Sequence, residues 1–307
     1  MAERDGDEIA RHVPAGLELG LRNYWYPVLR SASLPADQPI GFKVLNEALV
    51  AWRDASGAAR VARDKCPHRA AKFSVGRVLA GDLQCAWHGI RFDGAGRCTL
   101  IPWEADDSPA RERISLTTYP TEEAAGWIWC YVGEPERFPP PPLESVLPEE
   151  FRKPDEFIVF THPVSVWHCN WLQALDGSDG YHAIMTHSAS QPVARGAAAQ
   201  QSAAKIAPLE ARRMRVVKTP QGLRGVALGP DGQQIVHGHF LEGWRGDRWT
   251  LPCLFTIPIT PAPHLPRFVA RLYQFAIDAT HTQSSRWVAM RATTDAEREH
   301  CTQVWDE

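Results

Sequence analysis

DKCPHRAAKFSVGRVLAGDLQCAWHGIRFDG, residues 64–94, decides how the rest of this chain is read. It holds two short pairs, Cys66-Pro67-His68 and Cys85-Ala86-Trp87-His88, and each offers one thiolate and one imidazole at loop spacing. Zinc sites built from these residue types commonly put both cysteines in one pair and both histidines in the other. A mixed pair on each loop suits a [2Fe-2S] cluster instead, with two thiolates on one iron and two neutral imidazoles on the other.

The residues around the pairs carry a resemblance. Arg69 follows the first pair, Gly76 lies between the loops, and His88-Gly89 leads into Phe92-Asp93-Gly94. With these the segment resembles the cluster-binding segment of Rieske proteins, specifically of Rieske non-haem iron oxygenases and their terminal oxygenase (alpha) subunits. Two positions depart from that pattern: Lys72 stands where an apolar residue is expected, and Trp87 where tyrosine is frequent.

Working outward, 307 residues with 44 % apolar and 22 % charged side chains suit a globular protein with room for two domains. The net charge of −3 and the lack of a long basic run argue against nucleic acid or an anionic membrane as partner. The N-terminal residues 1–16 carry acidic side chains and no apolar core, so no targeting signal is expected there, and a cytoplasmic location follows. Seven cysteines, an odd count, favour reduced thiols. Cys98, Cys130, Cys169, Cys253 and Cys301 are read as small apolar residues without a further role.

Residues 22–133 alternate short β-rich runs, such as 41–45, 48–52 and 127–132, with turn signals, which argues for a small antiparallel β domain. The stretch Phe138-Pro139-Pro140-Pro141-Pro142 is stiff and lacks amide donors, so a domain boundary is placed there. Beyond it, residues 162–175 have helical apolar spacing, 251–260, 267–277 and 284–292 read as strands, and 293–305 as a helix begun by Thr294 or Asp295. Residues 194–204 are an Ala/Gln-rich segment that composition assigns neither to helix nor to loop. The expectation is an α+β chain: an all-β Rieske domain over 1–138, then a catalytic domain over 139–307 with an antiparallel sheet and flanking helices.

A second constellation is Asp179-Gly180-Tyr181-His182 followed by His187. On a helix Asp179 and His182 share a face, whereas His187 is rotated from His182 by roughly 140°, so both rings reach one metal only if the helix bends, widens or ends. Two histidines and a carboxylate form the facial triad of non-haem iron(II) oxygenases. By the resemblance, His182 and His187 are iron ligands, and Asp179 bridges electron transfer between His88 and His182 across the subunits of a homotrimer. The resemblance also implies a third, aspartate ligand on a C-terminal helix, and the register of residues 275–282 places it beyond Glu307. Asp306 as a substitute, or an iron without a protein carboxylate, are the other two readings. His237-Gly238-His239 puts two rings on one side of a strand, read as pocket-lining rather than metal-binding.

No G-x-G-x-x-G dinucleotide signature is present. The resemblance therefore implies an oxygenase fed with NAD(P)H electrons by a separate reductase, with or without a ferredoxin. It would activate O2 to hydroxylate, dihydroxylate or demethylate a small, aromatic substrate. The alternative classes are a non-catalytic Rieske electron carrier and a ligand-binding descendant.

Overall fold

In the computed structural model of the chain, residues 16–176, 213–219, 222–228, 249–259, 266 and 268–306 are described. The chain divides into two compact units, Met1–Arg152 with Phe275–Thr282, and Lys153–Gln274 with Gln283–Glu307. Residues 139–152 thus sort with the first unit, past the boundary expected at 138. The Trp25 indole N–H donates to the Pro141 carbonyl at 2.9 Å and the Tyr131 hydroxyl to that of Phe138 at 2.7 Å, tying the proline stretch back to the β strands before it.

The first unit is built from three small antiparallel sheets. In one, β11 (Trp127–Val132) lies between β1 (Tyr24–Arg30) and β10 (Thr121–Ala124). Every residue of β11 is buried, which is why its sequence, WIWCYV, is a continuous apolar run rather than an alternation. A second sheet orders β2 (Ile40–Val44), β3 (Glu47–Arg53), β4 (Ala59–Arg63) and β9 (Thr118–Tyr119); a third orders β5 (Arg77–Leu79), β6 (Asp82–Gln84), β7 (Arg91–Phe92) and β8 (Cys98–Leu100). Two-residue turns close three hairpins at Leu45-Asn46, Ala80-Gly81 and Ala125-Gly126, each with positive φ at both positions, the geometry that matches strand twist. Leucine pays for φ +48 at position 45 through burial, being 3 % exposed, and the Leu45 and Asn46 amides donate to the carbonyls of Ala276 and Ile277 at 2.8 Å each. Two one-turn helices, α1 (Leu143–Val146) and α2 (Glu149–Arg152), complete this unit.

The second unit is a sheet of eight described strands: β12 (Phe157–Thr161), β13 (Ser165–Trp167), β14 (Arg213–Thr219), β15 (Gly222–Leu228), β16 (Trp249–Thr250), β17 (Leu254–Ile259), β18 (Phe268–Ala276) and β19 (Thr282–Arg291). The order is β12-β19-β18-β17-β16-β15-β14, with β13 also on β19. The helix expected over 162–175 is shorter: β13 takes its first part and only α3 (Trp171–Asp176) is helical. Asn170 sets that start, its side-chain oxygen accepting the Leu172 amide at 3.0 Å, while the β-branched and aromatic residues before it find a strand partner. The strands expected downstream correspond to β17, β18 and β19, and the final helix to α4 (Asp295–Asp306). Thr294 begins α4: its hydroxyl accepts the Glu297 amide at 3.2 Å and Glu297 accepts the Thr294 amide at 3.1 Å, a capping box. One face of α4, Cys301, Val304 and Trp305, packs on Ile158 and Phe160 of β12 and on Val288 and Met290 of β19. The chain is α+β, as expected, and its N-terminal part up to the proline stretch has strands and three short 3-10 helices, Ser31–Ser33, Phe73–Val75 and Pro109–Arg113, among the described residues.

Candidate metal centre

The two pairs of the first unit sit on matching loops. In one, the Cys66 amide donates to the Ala71 carbonyl at 2.8 Å and the Ala70 amide returns to the Cys66 carbonyl at 2.8 Å. In the other, the Cys85 amide donates to Ile90 at 2.9 Å and the Gly89 amide to Cys85 at 3.0 Å. Each loop turns back through a residue with positive φ four positions after its cysteine, Ala70 at +61° and Gly89 at +75°. The backbone thereby presents a cysteine at the base of each loop and a histidine near each tip.

Buried polar side chains lock both loops. The Asp64 carboxylate accepts the Ser74 amide at 2.8 Å and the Ser74 hydroxyl at 2.6 Å. Gln84 donates its side-chain amide to the Gly89 carbonyl at 3.1 Å and accepts from Arg77 Nε at 2.6 Å. Gly76 brings the two loops together: a Cβ there would lie 2.1 Å from the Gln84 carbonyl oxygen, so only glycine permits this approach. Beneath them Phe73 and Phe92 meet edge to face at 5.6 Å, inside an apolar cluster that includes Val50, Trp52, Leu83 and Ile90.

Cys66 and Cys85 are each 2 % exposed, and their side chains are in contact. Burial pushes the Cys66 thiol up to about 11, and the adjacent Cys85 sulfur adds to the rise, against the backbone N–H groups of His68 and Arg69, which favour the thiolate. The His68 and His88 rings lie 4.8 Å apart at 65°. Trp87 stacks on His88 at 5.0 Å, and Trp103 faces both imidazoles, 5.5 Å from His68 and 6.0 Å from His88.

Among the described residues no three histidine, cysteine, aspartate or glutamate side chains converge on a single metal ion. Sulfur instead meets sulfur and ring meets ring, a donor set with two poles. Such a set suits a unit of two irons better than one tetrahedral zinc, which draws its ligands round a single point. Asp179, His182 and His187 lie outside the described residues, as do His237, His239 and residues 194–204. Asp306 is exposed at the end of α4.

Sequence reasoning missed Asp64, Gln84 and Trp103. A polar residue one or two positions before each cysteine was a usable signal for the first two. Nothing local signals Trp103; the Pro102 before it lies close to Gly89, where an added Cβ would meet its ring at 3.3 Å.

Residues 24–120 match the model of the Rieske [2Fe-2S] domain. The chain is 34 % identical over 177 residues to the oxygenase subunit of 3-chlorobenzoate-3,4-dioxygenase from Comamonas testosteroni, covering 57 % of this chain and 39 % of that one. It is 30 % identical over 268 residues to the oxygenase subunit of phthalate 4,5-dioxygenase from Pseudomonas putida, covering 85 % and 58 %. The chain thus spans less than two thirds of the length of these curated relatives. Its fold is that of the oxygenase in a solved oxygenase–ferredoxin complex of carbazole 1,9a-dioxygenase, with a TM-score of 0.68 and 21 % identity over 99 % of this chain and 82 % of that one. Residues 24–120 thus carry the Rieske [2Fe-2S] domain, in a chain similar to the oxygenase subunits of 3-chlorobenzoate-3,4-dioxygenase and phthalate 4,5-dioxygenase.

Proposed function

We propose that the protein is the terminal oxygenase of a multicomponent system that activates O2 to hydroxylate, dihydroxylate or demethylate a small aromatic substrate. The observation that carries this reading is the pairing of the two loops, which sets Cys66 against Cys85 and His68 against His88 inside a Rieske domain. Cys66 and Cys85 hold one iron of the cluster, and His68 and His88 hold the other. When bound, the cluster passes single electrons at a potential raised by its imidazole ligands. The chain's own part is to keep both thiolates dry, to fix both rings through the loop ladders, and to leave the partly exposed imidazoles within reach of a partner.

His182 and His187 hold the mononuclear iron(II), and Asp179 is the bridge between His88 and His182 in a homotrimer. NAD(P)H is the ultimate reductant, acting through a reductase with or without a ferredoxin, in the cytoplasm. A neighbouring fold solved in complex with a ferredoxin supports such a donor. Among the described residues no helix is long and apolar enough to cross a membrane.

Iron counting, with oxygen uptake, tests the proposal. About three irons per chain and product-coupled uptake across a panel of aromatic acids and amines are expected. About two irons, with no uptake, would instead mark a non-catalytic electron carrier or ligand-binding protein.

A further inference from the structure

The two loops differ in the surface they turn outward. Residues 64–74 carry Lys65, Arg69 and Lys72, all exposed. Among the described residues none of the three meets a carboxylate within ion-pair distance. The loop's own acid, Asp64, is buried with both oxygens on Ser74, so it leaves the surface charge uncancelled. The Cys66–Ala71 ladder brings Lys65 and Lys72 to the same end of the loop, with Arg69 at the tip. Val75, 69 % exposed, adds an apolar contact at its margin.

Residues 84–90, by contrast, contain no charged side chain; Trp103, which faces the imidazoles of both loops, is followed by Glu104, Asp106 and Asp107, of which Asp106 pairs with Arg111 at 2.7 Å. An acidic protein is attracted to the first loop, and the second offers it no charge. We propose that Lys65, Arg69 and Lys72 form the docking surface for an acidic electron-donor protein, which delivers its electron to the cluster through the first loop. This rests on the cluster assignment above. It goes further by choosing the side of approach and the charge of the partner. Lys72, out of place in the family pattern, acquires a role as part of a steering field.

The test is the rate at which a dithionite-reduced, acidic plant-type [2Fe-2S] ferredoxin reduces the oxidised protein, followed by stopped flow from about 0.02 to about 0.5 M salt. Reduction by methyl viologen radical cation, a small positive reagent, is the control. In the doubly substituted Lys65→Glu, Lys72→Glu protein, the ferredoxin rate at low salt is expected to fall at least about tenfold and to rejoin the wild-type rate at high salt. The viologen rate is expected to stay level or rise. An unchanged ferredoxin rate with an intact cluster signal would overturn the docking surface alone, and so would a parallel loss with both reductants. If the substitutions altered only the oligomeric state, the loop would be covered by a second copy, again overturning the proposal. A wild-type protein with no cluster would overturn both this inference and the function it rests on.

Discussion

The loops at 66–71 and 85–90 have the same hydrogen-bonded frame and almost nothing else in common. One turns through alanine and the other through glycine; one is locked by a carboxylate on a serine, the other by a carboxamide on a carbonyl. One shows cations to solvent and the other shows Trp87, 62 % exposed, beside Trp103, 55 % exposed. The metal donors fix only the inner face, where each cysteine must be dry and each ring must reach its partner. The means of holding each loop, and its outer face, are free to serve other ends.

If the loops are equal halves of one centre, Cys66→Ser and Cys85→Ser should do the same damage. Each is expected to abolish the visible iron-sulfur absorption and to remove about two irons per chain. A partial loss in one and a full loss in the other would break the equivalence.

The locks should weaken next. Asp64→Ala strands the Ser74 amide and hydroxyl, and Gln84→Leu strands the Gly89 carbonyl; each should cost about 1–3 kcal/mol in thermal or denaturant unfolding. Asp64→Ala also exposes the cation cluster to no new acid, so its effect should lie in stability and not in the salt dependence of reduction.

A smaller difference is expected at the turning residues. Gly89→Ala puts a side chain at positive φ with its Cβ 3.3 Å from Pro102 Cγ, and should lower stability by about 1 kcal/mol. Ala70→Gly removes that same strain from the first loop, so the unfolding midpoint should hold or rise slightly. Equal losses at both sites would show that backbone strain does not separate the loops.

Asp54, in the β3–β4 turn, supplies a reference away from both. Burial works to raise its carboxyl, but hydrogen bonds from Ser56, the Arg60 guanidinium and the Ser56 amide bring it down to about 2. Because this folded value lies below the unfolded one near 3.9, the stabilisation is complete above about pH 4 and is lost as pH falls toward about 2. Asp54→Asn should flatten that acid limb by under about 1 kcal/mol, read by tryptophan fluorescence, without changing the iron content.

The donor residues were legible because their chemistry is written in residue type and spacing alone. Strands such as β11 and the capped start of α4 were legible because apolar runs and Thr294 with Glu297 act locally. The short α3 was misjudged because Val166, Cys169 and Leu172 recur at helical spacing, although Val166 lies in β13, where pairing with β19 decided for a strand. Leu45 at positive φ opposes its own preference and is intelligible only from its burial. Asp64 and Gln84, two and one positions before the cysteines, hold partners close by in the chain and were signalled by that placement, whereas Trp103 meets the histidines from outside both loops and carried no local signal.

Low-temperature spin resonance of the dithionite-reduced protein tests the central claim most directly, namely that the paired loops hold a two-iron cluster with imidazoles on one side. The account predicts a rhombic signal from a half-reduced cluster, integrating to about one spin per chain. Absence of that signal, or an axial one of the all-cysteine kind, would contradict it.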